Sequence, residues 1–177
     1  VMSASILVTF ATRYGSTAEV AGAVAECLQG EGLTVTLQPV HKVSGLEDYT
    51  AVILGAPLYM FRLHKGARRF LGRFRSQLEN LPAAVFSLGP FHDDEKEWKE
   101  AREQLDKELA KYPWFNPVSI RMIGGRFDPA SLRFPFSWIP ALKRMEPVDI
   151  RDWKSLNTWV KSLVPLITPP GGSGKQS

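Results

Sequence analysis

Ser5-Ile6-Leu7-Val8-Thr9-Phe10-Ala11-Thr12-Arg13-Tyr14-Gly15-Ser16-Thr17-Ala18-Glu19 is the stretch that decides the architecture of this chain. Ile6, Leu7, Val8 and Phe10 form a nearly continuous apolar run, as expected of a central parallel strand buried on both faces. The strand runs into a hydroxyl-rich turn, and the turn opens a helix. Thr12, Ser16 and Thr17 bring three hydroxyls, Gly15 brings a flexible backbone position, and the helix start brings N–H groups without intrahelical acceptors. Together they predict a phosphate cradle. A simple helix cap at Ser16 or Thr17 needs only one of these hydroxyls.

Outward from this stretch, apolar runs alternate with helical patterns, which argues for βαβ units and a parallel sheet, an α/β architecture. Val20, Val24, Cys27 and Leu28 share one face of the first helix, and Gly30 and Gly32 punctuate its end. Further strands are predicted at Thr34–Gln38, Thr50–Ala56, Ala83–Leu88 and Val118–Gly125. Pro57 stops the third. A basic helix is expected from His64 to Leu78, with Phe70, Leu71 and Phe74 inward. A charged helix follows from Asp93 to Lys111 on a stripe of Trp98, Ala101, Leu105 and Leu109, with Glu97 and Arg102 facing water. Asp152 is placed to cap a last helix carrying Leu156, Trp159, Val160 and Leu163.

One segment breaks the alternation. Between Arg126 and Val148 lie Phe127, Leu132, Phe134, Phe136, Trp138, Ile139, Leu142 and Met145, with Arg133, Lys143 and Arg144 among them. It is too long for a tight turn and too apolar for a solvated loop. It reads as a packed excursion over the sheet edge or final helix, or as a surface for a partner, a quinone-like substrate or a membrane interface. The reading is one domain over residues 1–167 with this insertion at about 126–148. Residues 168–177, without apolar side chains after Thr168, form an expected disordered tail.

The 177 residues suit a single domain with a full core. No apolar run approaches the length of a bilayer span, and Val1 to Ser5 show no secretory signal. Cys27 is the only cysteine, so an internal disulfide and a CxxC or cysteine-cluster chemistry are excluded; a cytoplasmic setting is expected. The net charge of +4 favours anionic partners. Nucleic acid is not expected, because the arginines are scattered and no nucleic-acid motif occurs. His41, His64 and His92 are too scattered for a metal site.

In a doubly wound sheet, ligands bind beyond the carboxyl ends of the strands. Three strand ends here carry suitable loops. The first is Thr12 to Thr17. It lacks the lysine of a nucleoside-triphosphate loop and the GxGxxG of a dinucleotide fold, so a phosphomonoester fits best. The second holds Pro57, Leu58, Tyr59, Met60 and Phe61, where Tyr59 can stack on a flat ring; packing under the next helix is the alternative. The third holds Ser87, Leu88, Gly89, Pro90 and Phe91, where Gly89 lets main-chain groups approach a ring edge; an ordinary turn before a helix capped by Asp93 or Asp94 is the alternative. A phospho-acceptor receiver domain is excluded, since no acidic pair follows the first strand.

This pattern resembles the flavodoxin family. That family's phosphate motif is T/S-x-T-G-x-T, and this chain reads Thr12-Arg13-Tyr14-Gly15-Ser16-Thr17, with Tyr14 where the family usually has a hydroxyl residue. The resemblance runs from about Ile6 to Leu166. It implies a three-layer sandwich around a five-stranded parallel sheet of order 2-1-3-4-5. It also implies bound FMN, with the phosphate in the first loop and the ring between the second and third. Within the family, the Thr-Arg-x-Gly-x-Thr start, Gly55-Ala56 with Tyr59, and Gly124-Gly125-Arg126 before an aromatic-basic insertion are similar to the menaquinone-dependent protoporphyrinogen dehydrogenase type. The expected function is FMN-mediated electron transfer, as a redox carrier or a quinone-linked oxidoreductase. A redox protein or quinone-like acceptor is the expected partner, and 126–148 is the expected site of any peripheral membrane contact. A flavodoxin-like binding or regulatory module without flavin is the alternative. Arg13, Arg62 and Lys65 are expected to stabilise negative charge near the ring.

Overall fold

The computed structural model describes residues 4–12, 15–59, 61–90, 92–127, 140 and 148–169. Five strands form one parallel sheet: β1 (Ser5–Phe10), β2 (Thr34–Pro39), β3 (Ala51–Gly55), β6 (Ala83–Leu88) and β7 (Ser119–Ile123), in spatial order β2-β1-β3-β6-β7. Counting sheet strands alone, this is the expected 2-1-3-4-5. The chain moves outward from β1 to β2, then crosses back to β3 on the other side of β1. The strand order therefore reverses between β1 and β3, with Ile6 opposite Ala51 and Phe10 opposite Gly55.

Side-chain alternation sorts the central strands between two apolar layers. Leu7, Leu54 and Val85 face one side, where α2 (Lys65–Arg73), α3 (Arg75–Leu78) and α4 (Glu95–Leu109) bury Phe70, Leu71, Phe74, Leu78, Leu105 and Leu109. Ile6, Val8, Ile53 and Phe86 face the other, against Val20, Val24 and Leu28 of α1 (Ser16–Gly30) and Leu156, Val160 and Leu163 of α5 (Trp153–Ile167). Burial on both faces explains why β1, β3 and β6 read as continuous apolar runs, while the half-exposed edge strand β2 alternates.

The structure refines several boundaries. The basic helix read from His64 to Leu78 is two helices, broken at Phe74, whose φ of −107° and ψ of 22° leave the helical region. Phe74 stays buried and packs on Phe70 at 5.1 Å between ring centroids, so both helices share one apolar seam. The second loop contains a small hairpin, β4 (Leu58–Tyr59) with β5 (Arg62–Leu63), too short to show an alternation in sequence. The fifth sheet strand stops at Ile123, and Gly124-Gly125 turn the chain into β8 (Arg126–Phe127). This strand pairs antiparallel with β9 (Val148–Asp149). Most of the 126–148 insertion and the tail beyond residue 169 lie outside the described residues. The insertion leaves and returns beside a groove of about 590 Å³ along the free edge of β7, lined by Trp98, Arg102, Ile120, Gly124, Ile150 and Leu156. Asp152 caps α5, its carboxylate accepting the Ser155 N–H at 3.0 Å, and Asp94 caps α4 through the Glu97 N–H.

Candidate functional site

The three loops emerge side by side at the carboxyl edge of the sheet, because β1, β3 and β6 are neighbours. Backbone hydrogen bonds carry the sheet order past the strand ends. Ala11 N–H donates to Gly55 O, Ala56 N–H to Phe86 O, and Gly89 N–H to Ile123 O, at 2.8–2.9 Å. The loops are thus tethered at their roots, next to the point between β1 and β3 where the strand order reverses, the position expected for a ligand of a doubly wound sheet.

At the first loop, Gly15 is the residue before α1 and sits at φ +88°, a backbone conformation that side chains disfavour. No side chain among the described residues caps the helix. Thr12 Oγ1 instead accepts the Gly15 N–H at 2.9 Å and closes the turn. The first intrahelical bond runs from Glu19 N–H to Gly15 O, so the N–H groups of Ser16, Thr17 and Ala18 have no intrahelical acceptor. Nothing lies within 4 Å of where a Cβ at Gly15 would stand. An uncapped helix start, open space and three hydroxyls form a donor set that fits a phosphate dianion. Thr17 is only 3% exposed, and its Cγ2 stands 3.0 Å from the Cβ position of Gly55, so this glycine lets α1 sit close against β3. Arg13 and Tyr14 lie outside the described residues.

Two partners of this loop carried no sequence signal. Glu19 is an acid in the first turn of α1, where its charge would oppose an anion. Arg151, 132 positions away in sequence, meets it at 2.6 Å. The Arg151 side chain is 5% exposed and also binds Asp149 through two nitrogens at 2.8 and 2.6 Å. Bonding to Asp149 raises its pKa, with Glu19 adding to the rise against the opposing effect of burial. The cation thus offsets Glu19 and ties the return from the insertion to α1.

At the second loop, Pro57 and Leu58 are half-buried, and Phe61 precedes the second strand of the hairpin. Met60 and the Tyr59 side chain lie outside the described residues. Phe61 has φ +62°, the single non-glycine in the left-handed region among the described residues, and is 81% exposed. The helix α4 holds this hairpin from behind. Gln104 Nε2 donates to Phe61 O at 2.7 Å, and the Leu63 N–H donates to Glu108 Oε2 at 3.0 Å. Glu108, which the sequence reading left unassigned, is 2% exposed. Burial pushes its carboxyl up, but the Lys111 ammonium, the Leu63 N–H and the Arg62 charge outweigh it and hold the pKa below the usual carboxylate value. The i, i+4 spacing of Gln104 and Glu108 was visible in sequence; their shared target, 43 to 45 residues away, was not.

The depressed carboxyl has a stability consequence. Its contribution is complete above the unfolded carboxyl value of about 4.3 and is lost as pH falls through the lower folded value. Glu108→Gln keeps an acceptor for the Leu63 N–H but loses the charge facing Lys111. Urea midpoints measured from neutral pH downward should show the variant less stable than wild type at pH 7, with the gap closing in acid.

At the third loop, Ser87 is fully buried within β6, and its hydroxyl and that of Thr9 in β1 have no hydrogen-bond partner among the described residues. Leu88 ends the strand, and Gly89 packs so that a Cβ would meet the Met122 methyl at 2.4 Å. Pro90 O accepts the Gly125 N–H at 2.9 Å. Phe91 lies outside the described residues. His92 pairs with Glu97 at 3.2 Å on the surface, and His64 caps α2 by accepting the Gly66 N–H at Nδ1. No metal-binding group occurs among the described residues, and no described helix is long and apolar enough to cross a membrane.

The family model of the flavodoxin domain matches residues 7–135, and the chain belongs to this family. Protoporphyrinogen IX dehydrogenase (quinone) of Escherichia coli K12 is 24% identical over 181 residues, covering 93% of this chain and 97% of that protein. Among solved structures, flavodoxin 1 from Bacillus cereus matches 93% of this chain and all of its own, with a TM-score of 0.59 and 17% identity. Rubredoxin oxygen:oxidoreductase from Desulfovibrio gigas gives a TM-score of 0.60 at 15% identity over 92% of this chain, which spans 36% of that larger protein. These structural likenesses establish the fold.

Proposed function

We propose that this chain binds FMN at the carboxyl edge of β1, β3 and β6 and passes electrons to a quinone-like acceptor or a redox partner protein. The observation that carries the reading is the start of α1: an uncapped helix after Gly15 at φ +88°, surrounded by Thr12, Ser16 and Thr17. Bound FMN supplies the redox chemistry, accepting and releasing electrons at its ring. The chain supplies placement and electrostatics. The hydroxyls of Thr12, Ser16 and Thr17 and the first N–H groups of α1 hold the phosphate, together with the turn residues Arg13 and Tyr14. Pro57, Leu58, Tyr59 and Met60 flank the ring on one side. Ser87, Leu88, Gly89, Pro90 and Phe91 flank it on the other, where main-chain groups read its polar edge. The quinone-linked form of the reading is supported by the likeness to protoporphyrinogen IX dehydrogenase (quinone), which runs through nearly the whole of both chains.

The protein should purify yellow, or quench FMN fluorescence when the apo form is titrated, and the loaded protein should turn over a soluble quinone. A colourless protein that leaves FMN fluorescence unchanged would favour a flavin-free binding module. Arg62 and Lys65, both exposed beside the second loop, set a further expectation. Positive charge there favours the negative charge of the reduced flavin. Redox titration should give a second-electron potential less negative than that of acidic flavodoxins, and lower again in Arg62→Glu.

A further inference from the structure

We propose that the tip of the β4–β5 hairpin and the outward face of α2 form a docking surface for an acidic redox protein. That this surface adjoins a flavin rests on the function proposed above; the surface itself does not.

Residues 59–78 carry six cations, Arg62, Lys65, Arg68, Arg69, Arg73 and Arg75, and no acid, in a chain whose net charge is +4. Three of them are engaged by the fold. Arg68 Nε donates to Leu63 O, Arg73 to Val43 O, and Arg75 pairs with Glu79. Lys65 and Arg69 are one helical turn apart and exposed, and they make no ion pair or hydrogen bond among the described residues. Arg62 is exposed beside them, within the field of Glu108. At the end of this stripe stands Phe61, 81% exposed. Its left-handed backbone is unfavourable for an aromatic residue and is held by the bond from Gln104 to its own carbonyl and by that from the Leu63 N–H to Glu108. The fold thus spends local stability to hold an aromatic ring in solvent beside a row of cations of which Lys65 and Arg69 make no ion pair among the described residues.

An exposed aromatic anchor among arginines is the composition of a protein interface. Guanidinium forks match carboxylates, and complementary charge speeds encounter. A lipid surface fits less well, because the apolar residues of α2, Ala67, Phe70 and Leu71, are all buried against the sheet and leave no apolar stripe to enter it.

The test uses the full chain and a plant-type ferredoxin, an acidic redox protein, as probe. Binding is followed by calorimetry at about 20 mM and about 300 mM salt. Flavin content is measured separately on each preparation. Wild type should bind at low salt and weaken at least tenfold at high salt. Arg69→Glu should weaken low-salt binding about tenfold and flatten the salt dependence, with flavin content and circular dichroism unchanged. Phe61→Asn, chosen because asparagine tolerates the left-handed backbone, should weaken binding at both salts. Equal binding by wild type and Arg69→Glu overturns the proposal. So does tight, Arg69-dependent uptake onto phosphatidylcholine vesicles with about 30% phosphatidylserine when the ferredoxin does not bind. Lack of flavin in every preparation would count against the FMN reading and leave the docking result standing.

Discussion

Ser16→Ala combined with Thr17→Val is expected to weaken FMN binding by about 100-fold or more while leaving riboflavin binding within about threefold. A hydrogen bond to a charged group contributes about 1.5–3 kcal/mol, so two lost hydroxyls remove about 3–6 kcal/mol from phosphate recognition. Valine is the choice at position 17 because the Thr17 methyl side is buried near Gly55, and alanine would add a packing defect to the lost hydroxyl. Riboflavin lacks the phosphate and so reports the ring site alone. Fluorescence titrations with both ligands decide the matter. If the two ligands weaken together, the loop acts through folding; if neither weakens, the phosphate lies elsewhere. Arg151→Met should shift the same titration in the same direction by a smaller factor, since it removes the buried cation that faces the Glu19 charge.

Gly124→Ala is expected to destabilise the fold by about 3 kcal/mol, in the upper part of the range for overpacking. A Cβ at Gly124 would stand 2.2 Å from Ile150 O and 2.8 Å from Ile150 C, and backbone atoms cannot swing aside as a side chain can. Relief requires the strand that returns from the insertion to move away from β7. That movement would pull on the bond from Ile150 N–H to Gly125 O, and through Gly125 N–H on the carbonyl of Pro90 in the third loop. The variant should therefore lose denaturant stability and also bind flavin more weakly. Gly89→Ala is the control, because the atom it meets is the end of the flexible Met122 side chain. Its urea midpoint should fall by much less.

The sheet and its order were legible because β1, β3 and β6 are buried on both faces and so write themselves as unbroken apolar runs. The helices on either side showed their inward stripes for the same reason. The turn before α1 was legible because Thr12, Gly15, Ser16 and Thr17 lie within six consecutive residues. The β4–β5 hairpin was not, since two-residue strands are too short to carry a period. Nor was the break at Phe74, where the apolar spacing runs on through a backbone that leaves the helix. The burial of Glu108 was not legible either, because it depends on Leu63 and Lys111 converging on it, and only Lys111 is near it in sequence.

The sequence by itself determined the α/β alternation, the strand that anchors it and the turn that opens α1, because each is written in neighbouring residues obeying a local period or turn rule. The tertiary structure alone decided how the three loops are rooted together, that Arg151 offsets Glu19, and that α4 grips a hairpin to hold Phe61 in solvent. Those features join residues 30 to 132 positions apart. Distance along the chain carries no information about such pairings; they exist only once two buried faces of one sheet have brought the helices, and the charges they carry, to fixed places.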